Sequence, residues 1–527
     1  MPQTEGHSHG ASSAPLLVPE PDVIVVGGGL AGVCAALAAA ERGAAIVVLD
    51  SAHGGGSTAI SGGVLYAGGG TRQQQAAGYW HDTPHNMFRY LQHEVGAGPA
   101  HEPPVSEATL RRFCDESVAR MDWLQRHGVA FAGDLCPFRT SYPTDQYALY
   151  FSGNEKAHPY AAVADPAPRG HRVVGEGAGG MNMTGNVLWE ALYDSAVRMG
   201  VRFEFASRAE ELLLESGTGA VQGVRYRAIE KGTSDFARHK ALTVNSTYYH
   251  QISVSFLANW YDRRAKALWA RNARPRTLTA PAVVLAAGGF GMNKEMMESV
   301  PMSDRVNPLG TGGDDGSGIR LGQSAGGAVS HMDRLSVWRL MYPPEALTEG
   351  IVVSPEGCRI AAEDLYGASL SDAMIEQANG HGYLILDSRQ WEKAKSQVQE
   401  QTQWPWRAFI YYLLYWAYQR AGSLEGLAQK LRVDPSRIVA TVRAYNDAIT
   451  SDNPDPVGKL NYRSVIAHGP FYGIDISIRK SGMLMTPGLP LGGLKVEETS
   501  GLVLNKDGRT IPGLYAAGKE RGGNLFK

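Results

Sequence analysis

The feature that most constrains this 527-residue chain lies near its start. Residues 22–27 (Asp-Val-Ile-Val-Val-Gly) read as a buried parallel strand, and residues 30–43 as an alanine-rich helix stopped by Gly43. Residues 45–50 (Ala-Ile-Val-Val-Leu-Asp) read as a second strand that ends on an acid. Strand, helix and strand in this order make a βαβ unit, the beginning of a doubly wound sheet. Between the first strand and the helix stands Gly27-x-Gly29-x-x-Gly32, with Leu30 and Ala31 opening the helix. In such a turn the first glycine permits the tight bend, and the second lets backbone approach a pyrophosphate. The third allows helix and strand to pack, while the helix N-terminus offers partial positive charge. Asp50 is placed to accept hydrogen bonds from an adenosine ribose. A lone GxGxxG is weak evidence, but here strand, helix and acid stand where dinucleotide binding needs them.

The segment after this acid separates FAD from NAD. Residues 51–63 (Ser-Ala-His-Gly-Gly-Gly-Ser-Thr-Ala-Ile-Ser-Gly-Gly) suit a cofactor whose other half lies along the same sheet edge. Ser51, Gly56, Ser57, Thr58, Ser61, Gly62 and Gly63 are the expected contacts there. Farther on, Ala286-Ala287-Gly288-Gly289 and Ile511-Pro-Gly-Leu-Tyr-Ala-Ala-Gly518 are strand endings in glycine. Gly312 to Gly318, with Asp315, opens a helix at Ile319 and should lie against the same ligand. Each cluster alone could serve only to turn the chain. The 63 glycines follow no Gly-X-Y period and gather in these clusters, which points to close backbone approach to a ligand.

Composition excludes several other classes. Fifty Lys+Arg against 52 Asp+Glu leave a net charge of −2, so neither nucleic acid nor an anionic membrane is expected as a main partner. A hydrophobic content of 43% supplies a core and rules out general disorder. Cys34, Cys114, Cys136 and Cys358 lie far apart without metal spacing, which predicts buried thiols, no metal site and a reducing, cytoplasmic location. Residues 1–19 read as a disordered polar tail without a secretory signal, and no apolar run is long enough for a membrane span.

The rest of the chain divides by pattern. Helices are expected at 107–128 and 186–200, antiparallel strands across 201–227 turning at Ser216-Gly217, and a buried strand at 282–289. Residues 404–418 carry aromatics on nearly every face of a helix, so core packing is expected; a substrate wall or a membrane-surface face are the other readings.

The motif order GGGLAGVCAA, VVLD, GGGSTAISGG, AAGGF, TGGDDGSGIRLGQSAGG and IPGLYAAG resembles the FAD-binding flavoprotein family of fumarate reductases and 3-ketosteroid dehydrogenases. Tyr150-Phe-Ser-Gly-Asn-Glu, His158-Pro-Tyr and Pro166-Ala-Pro-Arg-Gly-His171 are most similar to its 3-ketosteroid Δ4-(5α)-dehydrogenase branch. The resemblance implies an α/β chain, a Rossmann-like FAD-binding domain with an inserted α+β catalytic cap. Its expected boundaries are 20–330 and 480–527 for the FAD-binding domain and 331–479 for the cap. It implies a hydrophobic, steroid-like substrate and an electron acceptor that the sequence does not name. Glu363-Asp-Leu-Tyr366-Gly is similar to the segment that carries a catalytic tyrosine. The implied reaction is desaturation, with proton loss next to a ketone and hydride transfer to flavin. A flavin-dependent fumarate or enone reductase and a catalytically silent flavoprotein are the alternatives. No His-Pro-Thr segment of the fumarate reductase kind is present, and Arg359 lacks the setting of that enzyme's proton donor.

Two departures stand out. The family continues past the Ala-Ala-Gly segment into a second catalytic tyrosine with a serine, whereas this sequence reads Lys519-Glu-Arg-Gly-Gly-Asn-Leu-Phe-Lys527. Residues 242–258 interrupt what otherwise reads as a basic helical connection. A retained intron and an early stop would produce both.

Overall fold

The computed structural model describes residues 20–96, 105–177, 183–252, 254–339, 343–404, 406–482 and 484–521. The tail expected at 1–19 lies outside them. β1 (Val23–Val26), α1 (Leu30–Ala40) and β2 (Ile46–Leu49) form the expected βαβ unit, with β1 and β2 parallel and Val23 opposite Ile46. Alternation explains why both strands are apolar throughout. Ile24, Val26, Val47 and Leu49 enter one core. Val25, Ile46 and Val48 enter another, with Val33, Ala36 and Leu37 of α1. A parallel sheet covered on both faces needs continuous hydrophobic strands.

β3 (Val64–Tyr66), β4 (Leu149–Tyr150) and β5 (Gly170–Arg172) form a small antiparallel sheet with β5 in the middle. α2 (Glu107–Arg126) precedes β4 in the chain, and α3 (Gly185–Arg198) follows β5 and sets Leu188, Leu192 and Ala196 against α1. β6 (Arg202–Glu204) corrects the expectation for 201–227: it runs parallel to β2, with Arg202 opposite Val47. Ala206, at φ +51°, turns the chain, and only then does the antiparallel hairpin of β7 (Ser207–Leu214) and β8 (Val221–Ala228) begin. α4 (Ser234–Gln251) and α5 (Ser255–Asn272) pack as a helical hairpin. Of residues 242–258, 242–251 end α4 and 255–258 open α5. β9 (Arg274–Thr279) returns to β8, and β10 (Ala282–Leu285) lies parallel to β1.

After α6 (Ser317–Ser324) the chain builds a second sheet. β11 (Ile351–Val353), α7 (Gly367–Ala378), β12 (Tyr383–Leu386), α8 (Trp406–Tyr415), β13 (Gln419–Ala421) and β14 (Phe471–Asp475) come in order. The four strands are antiparallel in the order β11-β12-β14-β13. One face packs Val352, Leu384, Leu386 and Trp391 together, and the other packs Ile351, Val353, Ile385 and Val442. The chain then rejoins the first sheet through β15 (Leu502–Leu504) and β16 (Thr510–Ala516), giving the order β15-β16-β10-β1-β2-β6.

α8 departs from the core packing expected of residues 404–418. Ile410, Leu413 and Leu414 are buried, but Trp404, Trp406, Tyr415 and Trp416 face solvent. Its apolar composition hid which face packs, since every face reads alike. The cysteines also differ in part: Cys114 and Cys136 are buried, and burial pushes both thiols up to about 12, but Cys358 is exposed. Among the described residues no helix is long and apolar enough to cross a membrane, and no group of three or more His, Cys, Asp or Glu is placed to hold a metal ion.

Candidate functional site

The C-terminal ends of β1, β2, β10 and β16 converge on the glycine turn. Gly27 has φ +110°, and a Cβ there would lie 2.2 Å from the Ala286 carbonyl oxygen. A Cβ on Gly32 would lie 1.9 Å from Gly27 O, so α1 rests directly on the turn. Gly29 caps α1 without a side-chain hydrogen bond, and the first turn carries no acid. The helix therefore presents its positive end without an acid of its own, with Leu30 N donating to Thr58 Oγ1 at 3.2 Å. A Cβ on Gly29 would meet only Gly55 O at 3.8 Å and Thr58 Oγ1 at 4.0 Å, so it would fill the open cradle above the turn.

That cradle opens into a cavity of about 410 Å³. Gly27, Gly29, Leu30, Ala31, Asp50 and Ser51 line it with Gly56, Ser57 and Thr58. From the distant clusters come Ala287, Gly288, Asp315 and Gly518. The other predicted contacts lie elsewhere. Gly32 serves packing behind the turn. Ser61, Gly62 and Gly63 form the next turn outside the cavity lining: Ser61 Oγ donates to Thr58 O at 2.8 Å, and Gly62 O accepts from the Tyr142 hydroxyl at 2.7 Å.

Asp50 is more committed than the sequence suggests. Its carboxylate accepts from Gly28 N at 2.8 Å, Ala52 N at 2.8 Å and Gly54 N at 3.1 Å. It thus ties β2 to the glycine turn and keeps one acceptor position of roughly four for a ligand. Asp50→Ala should remove charge-assisted bonds worth ~1.5–3 kcal/mol, weakening FAD retention by roughly ten- to a hundredfold. Flavin release measured by fluorescence checks this; unaltered retention would refute the role.

Asp314 was missed. Only 3% exposed, it accepts from Gly289 N at 2.9 Å, Thr311 N at 3.0 Å, Lys519 Nζ at 2.7 Å and the Ser57 hydroxyl. Burial pushes this carboxyl up, but the Lys519 ammonium and the other donors hold it below the ordinary carboxylate value. Its neighbour Asp315 pairs with Arg208 at 2.8 Å and accepts from Ser317 N at 3.0 Å. The α4–α5 hairpin supplies the remaining wall through Thr243, Ser246, Asp262 and Trp269.

Glu520 packs against Gly318 at the start of α6, fully buried, and accepts from Ala287 N at 2.5 Å. Burial raises its carboxyl to about 8, helped by Asp314 and Asp315. An acid raised this far is protonated in the fold but ionised in the unfolded chain between pH ~4.3 and about 8. Unfolding therefore becomes easier as pH rises through that window. Glu520→Gln should remove the slope and gain on the order of a few kcal/mol at pH 8 over the parent. Thermal melts of both proteins from pH 5 to 9 check this, and parallel curves would count against it.

Tyr366 lies away from the cofactor cavity, at the seam between the two sheets. It is half-buried at the N-cap of α7, and its backbone N–H donates to Asn154 Oδ1 at 2.5 Å. The Asn154 amide also donates to Ser369 Oγ at 2.9 Å and Glu94 Oε2 at 3.1 Å. Asp364 accepts from Asn461 N at 2.9 Å. The Pro166–His171 motif stands on the same side of the seam. Arg169 pairs with Asp82 at 2.6 Å, both fully buried. His171 bridges Thr71 Oγ1 at 2.9 Å and Arg169 O at 3.0 Å, and burial holds it down to about 4. Arg359 is bound to Glu363 at 2.7 Å and Asp455 at 2.5 Å.

Comparison with known proteins agrees with this geometry. The chain is 35% identical over 448 residues to 3-oxo-5-alpha-steroid 4-dehydrogenase of Comamonas testosteroni, covering 82% of this chain and 80% of that one. It is 26% identical over 369 residues to a fumarate reductase (cytochrome) of Shewanella frigidimarina, covering 67% of this chain and about half (52%) of that longer protein. Its fold matches the crystal structure of 3-ketosteroid-Δ4-(5α)-dehydrogenase from Rhodococcus jostii RHA1 in complex with 4-androstene-3,17-dione. There the TM-score is 0.77 at 26% identity, over 98% of this chain and 94% of that one. The profile of the family described as FAD binding domain matches residues 22–525, and with an open dinucleotide cradle at the sheet edge the chain belongs to that family as an FAD-dependent oxidoreductase acting on CH–CH groups.

Proposed function

We propose that this enzyme desaturates a 3-ketosteroid or a similar polycyclic ketone. The observation that carries the reading is the placement of Tyr366 at the seam, pinned by Asn154 from the motif that sets this branch apart. Residues 20–330 and 480–527 would form the FAD-binding domain and 331–479 the cap, with substrate between them. The glycine turn and the α1 N-terminus would hold the pyrophosphate, and Asp50 the ribose. When bound, FAD would supply the acceptor for a hydride from the carbon β to the ketone. The chain's own task is the proton on the neighbouring carbon, which the ketone acidifies. Tyr366 would take it at the phenolic oxygen. A phenol is a weak base at neutral pH, but Tyr366 stands at the positive end of a twelve-residue helix whose first turn carries no acid. That end places partial positive charge beside the Tyr366 backbone.

A fumarate-type reductase is the second reading, favoured by the Shewanella relative. Against it, Arg359 is held by two carboxylates and is not free to deliver a proton. The test is anaerobic mixing of FAD-loaded enzyme with a saturated 5α-3-ketosteroid. Bleaching of the flavin band is expected. Flavin that stays oxidised with ketosteroids, yet is reoxidised by fumarate after chemical reduction, would overturn the proposal in favour of the reductase. Flavin inert in both directions would identify a silent flavoprotein.

A further inference from the structure

The outer face of the α4–α5 hairpin exposes a cluster of large apolar side chains. Its inner face lines the cofactor cavity, but Val244 and Tyr248 on α4 and Phe256 and Trp260 on α5 point to solvent, with Phe256 74% exposed. Each pair is four residues apart, one helical turn, and all lie close to the turn joining the helices. The rings of Tyr248, Tyr249, Tyr261 and Trp260 form a ladder across the hairpin, with successive centroids 5.4, 5.5 and 4.8 Å apart. Single exposed apolar residues are ordinary, but a contiguous aromatic tip marks a contact surface.

Charge indicates what covers it. The hairpin carries Arg238, Lys240, Arg263, Arg264, Lys266 and Arg271 against Asp235 and Asp262, in a chain of net charge −2. Arg264 lies over the Trp260 ring at 3.9 Å, and Lys266 pairs with Asp262 at 3.2 Å. Phe256, Trp260, Arg263 and Arg264 share one stripe of α5, with the aromatics nearer the tip. The cations lie beyond them by roughly 5–12 Å at 1.5 Å per residue. This is the layering of a segment that buries aromatics about 5–10 Å into the head-group boundary while its cations meet lipid phosphates.

We propose that the tip of the α4–α5 hairpin is a docking surface for an anionic phospholipid bilayer. It lies in the interface and does not span, and it is independent of which ketone the enzyme oxidises. The balanced net charge of the whole chain hides the local excess of six basic over two acidic residues on this hairpin.

Vesicle co-sedimentation of the FAD-loaded enzyme tests the proposal, comparing phosphatidylcholine alone with a phosphatidylcholine–phosphatidylserine mixture. The wild type should pellet with the anionic vesicles at least tenfold more than with the neutral ones, and added salt should release it. Phe256→Ser with Trp260→Ser, and separately Arg263→Gln with Arg264→Gln, should each lower anionic-vesicle binding by tenfold or more. Flavin content and turnover of dispersed substrate should not change, since these side chains face away from the cavity. Equal pelleting with both vesicle types, or none, overturns the proposal. So does a wild-type dimer in gel filtration that Phe256→Ser with Trp260→Ser dissociates while vesicle binding is unaffected, which would assign the tip to a second copy of the chain.

Discussion

Tyr366→Phe should lower ketosteroid oxidation by ~10²–10⁴, the usual contribution of a positioned acid–base group, while leaving flavin content and melting temperature at parental values. The substitution removes one hydroxyl from a half-buried ring. The contact that fixes the residue, its backbone N–H to Asn154, does not depend on the side chain. Stopped-flow flavin reduction is the decisive readout, because it isolates the step in which proton and hydride leave the substrate. The Phe variant keeps the ring and loses only the proton acceptor, so the loss should appear in the reduction rate itself. Asn154→Ala offers an independent check. It frees the Tyr366 backbone N–H and removes the bridge to Ser369 and Glu94. Reduction should slow through misplacement of the ring. Equal reduction rates in parent and Tyr366→Phe would return Tyr366 to a packing role.

The cofactor edge was legible in the sequence because its constraints are local. Gly27 and Gly32 are fixed by backbone contacts of 2.2 and 1.9 Å that no Cβ survives, so the sequence itself records the close approach. β1, β2 and β10 show as apolar runs because both of their faces are buried. Contacts made by choice between neighbours were not legible. Asp314 and Asp315 are adjacent, yet one is the buried hub beside Ser57 and Lys519, while the other pairs with Arg208 at the helix start. Nothing in the order of two aspartates says which turns inward. The wall formed by Thr243, Ser246, Asp262 and Trp269 was missed for another reason. Its helices have polar and aromatic residues facing a ligand on one side and exposed aromatics on the other, so no clean amphipathic period marks them. The Asn154–Tyr366 seam joins residues 212 apart in sequence. Only the resemblance suggested the importance of both ends.

The Arg169–Asp82 pair beneath that seam should be the costliest single contact to break. Both side chains are fully buried, and Asp82 also accepts from Gln74 Nε2 at 2.6 Å, Gly69 N at 3.1 Å and Asn86 Nδ2 at 3.0 Å. Burial alone would push the Asp82 carboxyl up, but Arg169 and these donors hold it below the usual value, so it is ionised at neutral pH. Asp82→Ala leaves a fully buried guanidinium without its carboxylate and should destabilise the fold by about 3–5 kcal/mol, the usual result of removing one partner of a buried ion pair. Asp82→Asn should cost less than Asp82→Ala, because it keeps an acceptor and loses only the charge. Arg169→Met combined with Asp82→Leu should recover only part of the loss: it removes the buried charge but leaves the Gln74, Gly69 and Asn86 donors without their acceptor. Urea denaturation of the four proteins gives the comparison. A loss below ~1 kcal/mol for Asp82→Ala, the range of an exposed ion pair, would mean that water reaches Arg169. Flavin release should accompany the loss in Asp82→Ala. Arg169 leads into β5, and β5 pairs with β3, which begins directly after the Ser61–Gly63 turn beside the cofactor cavity.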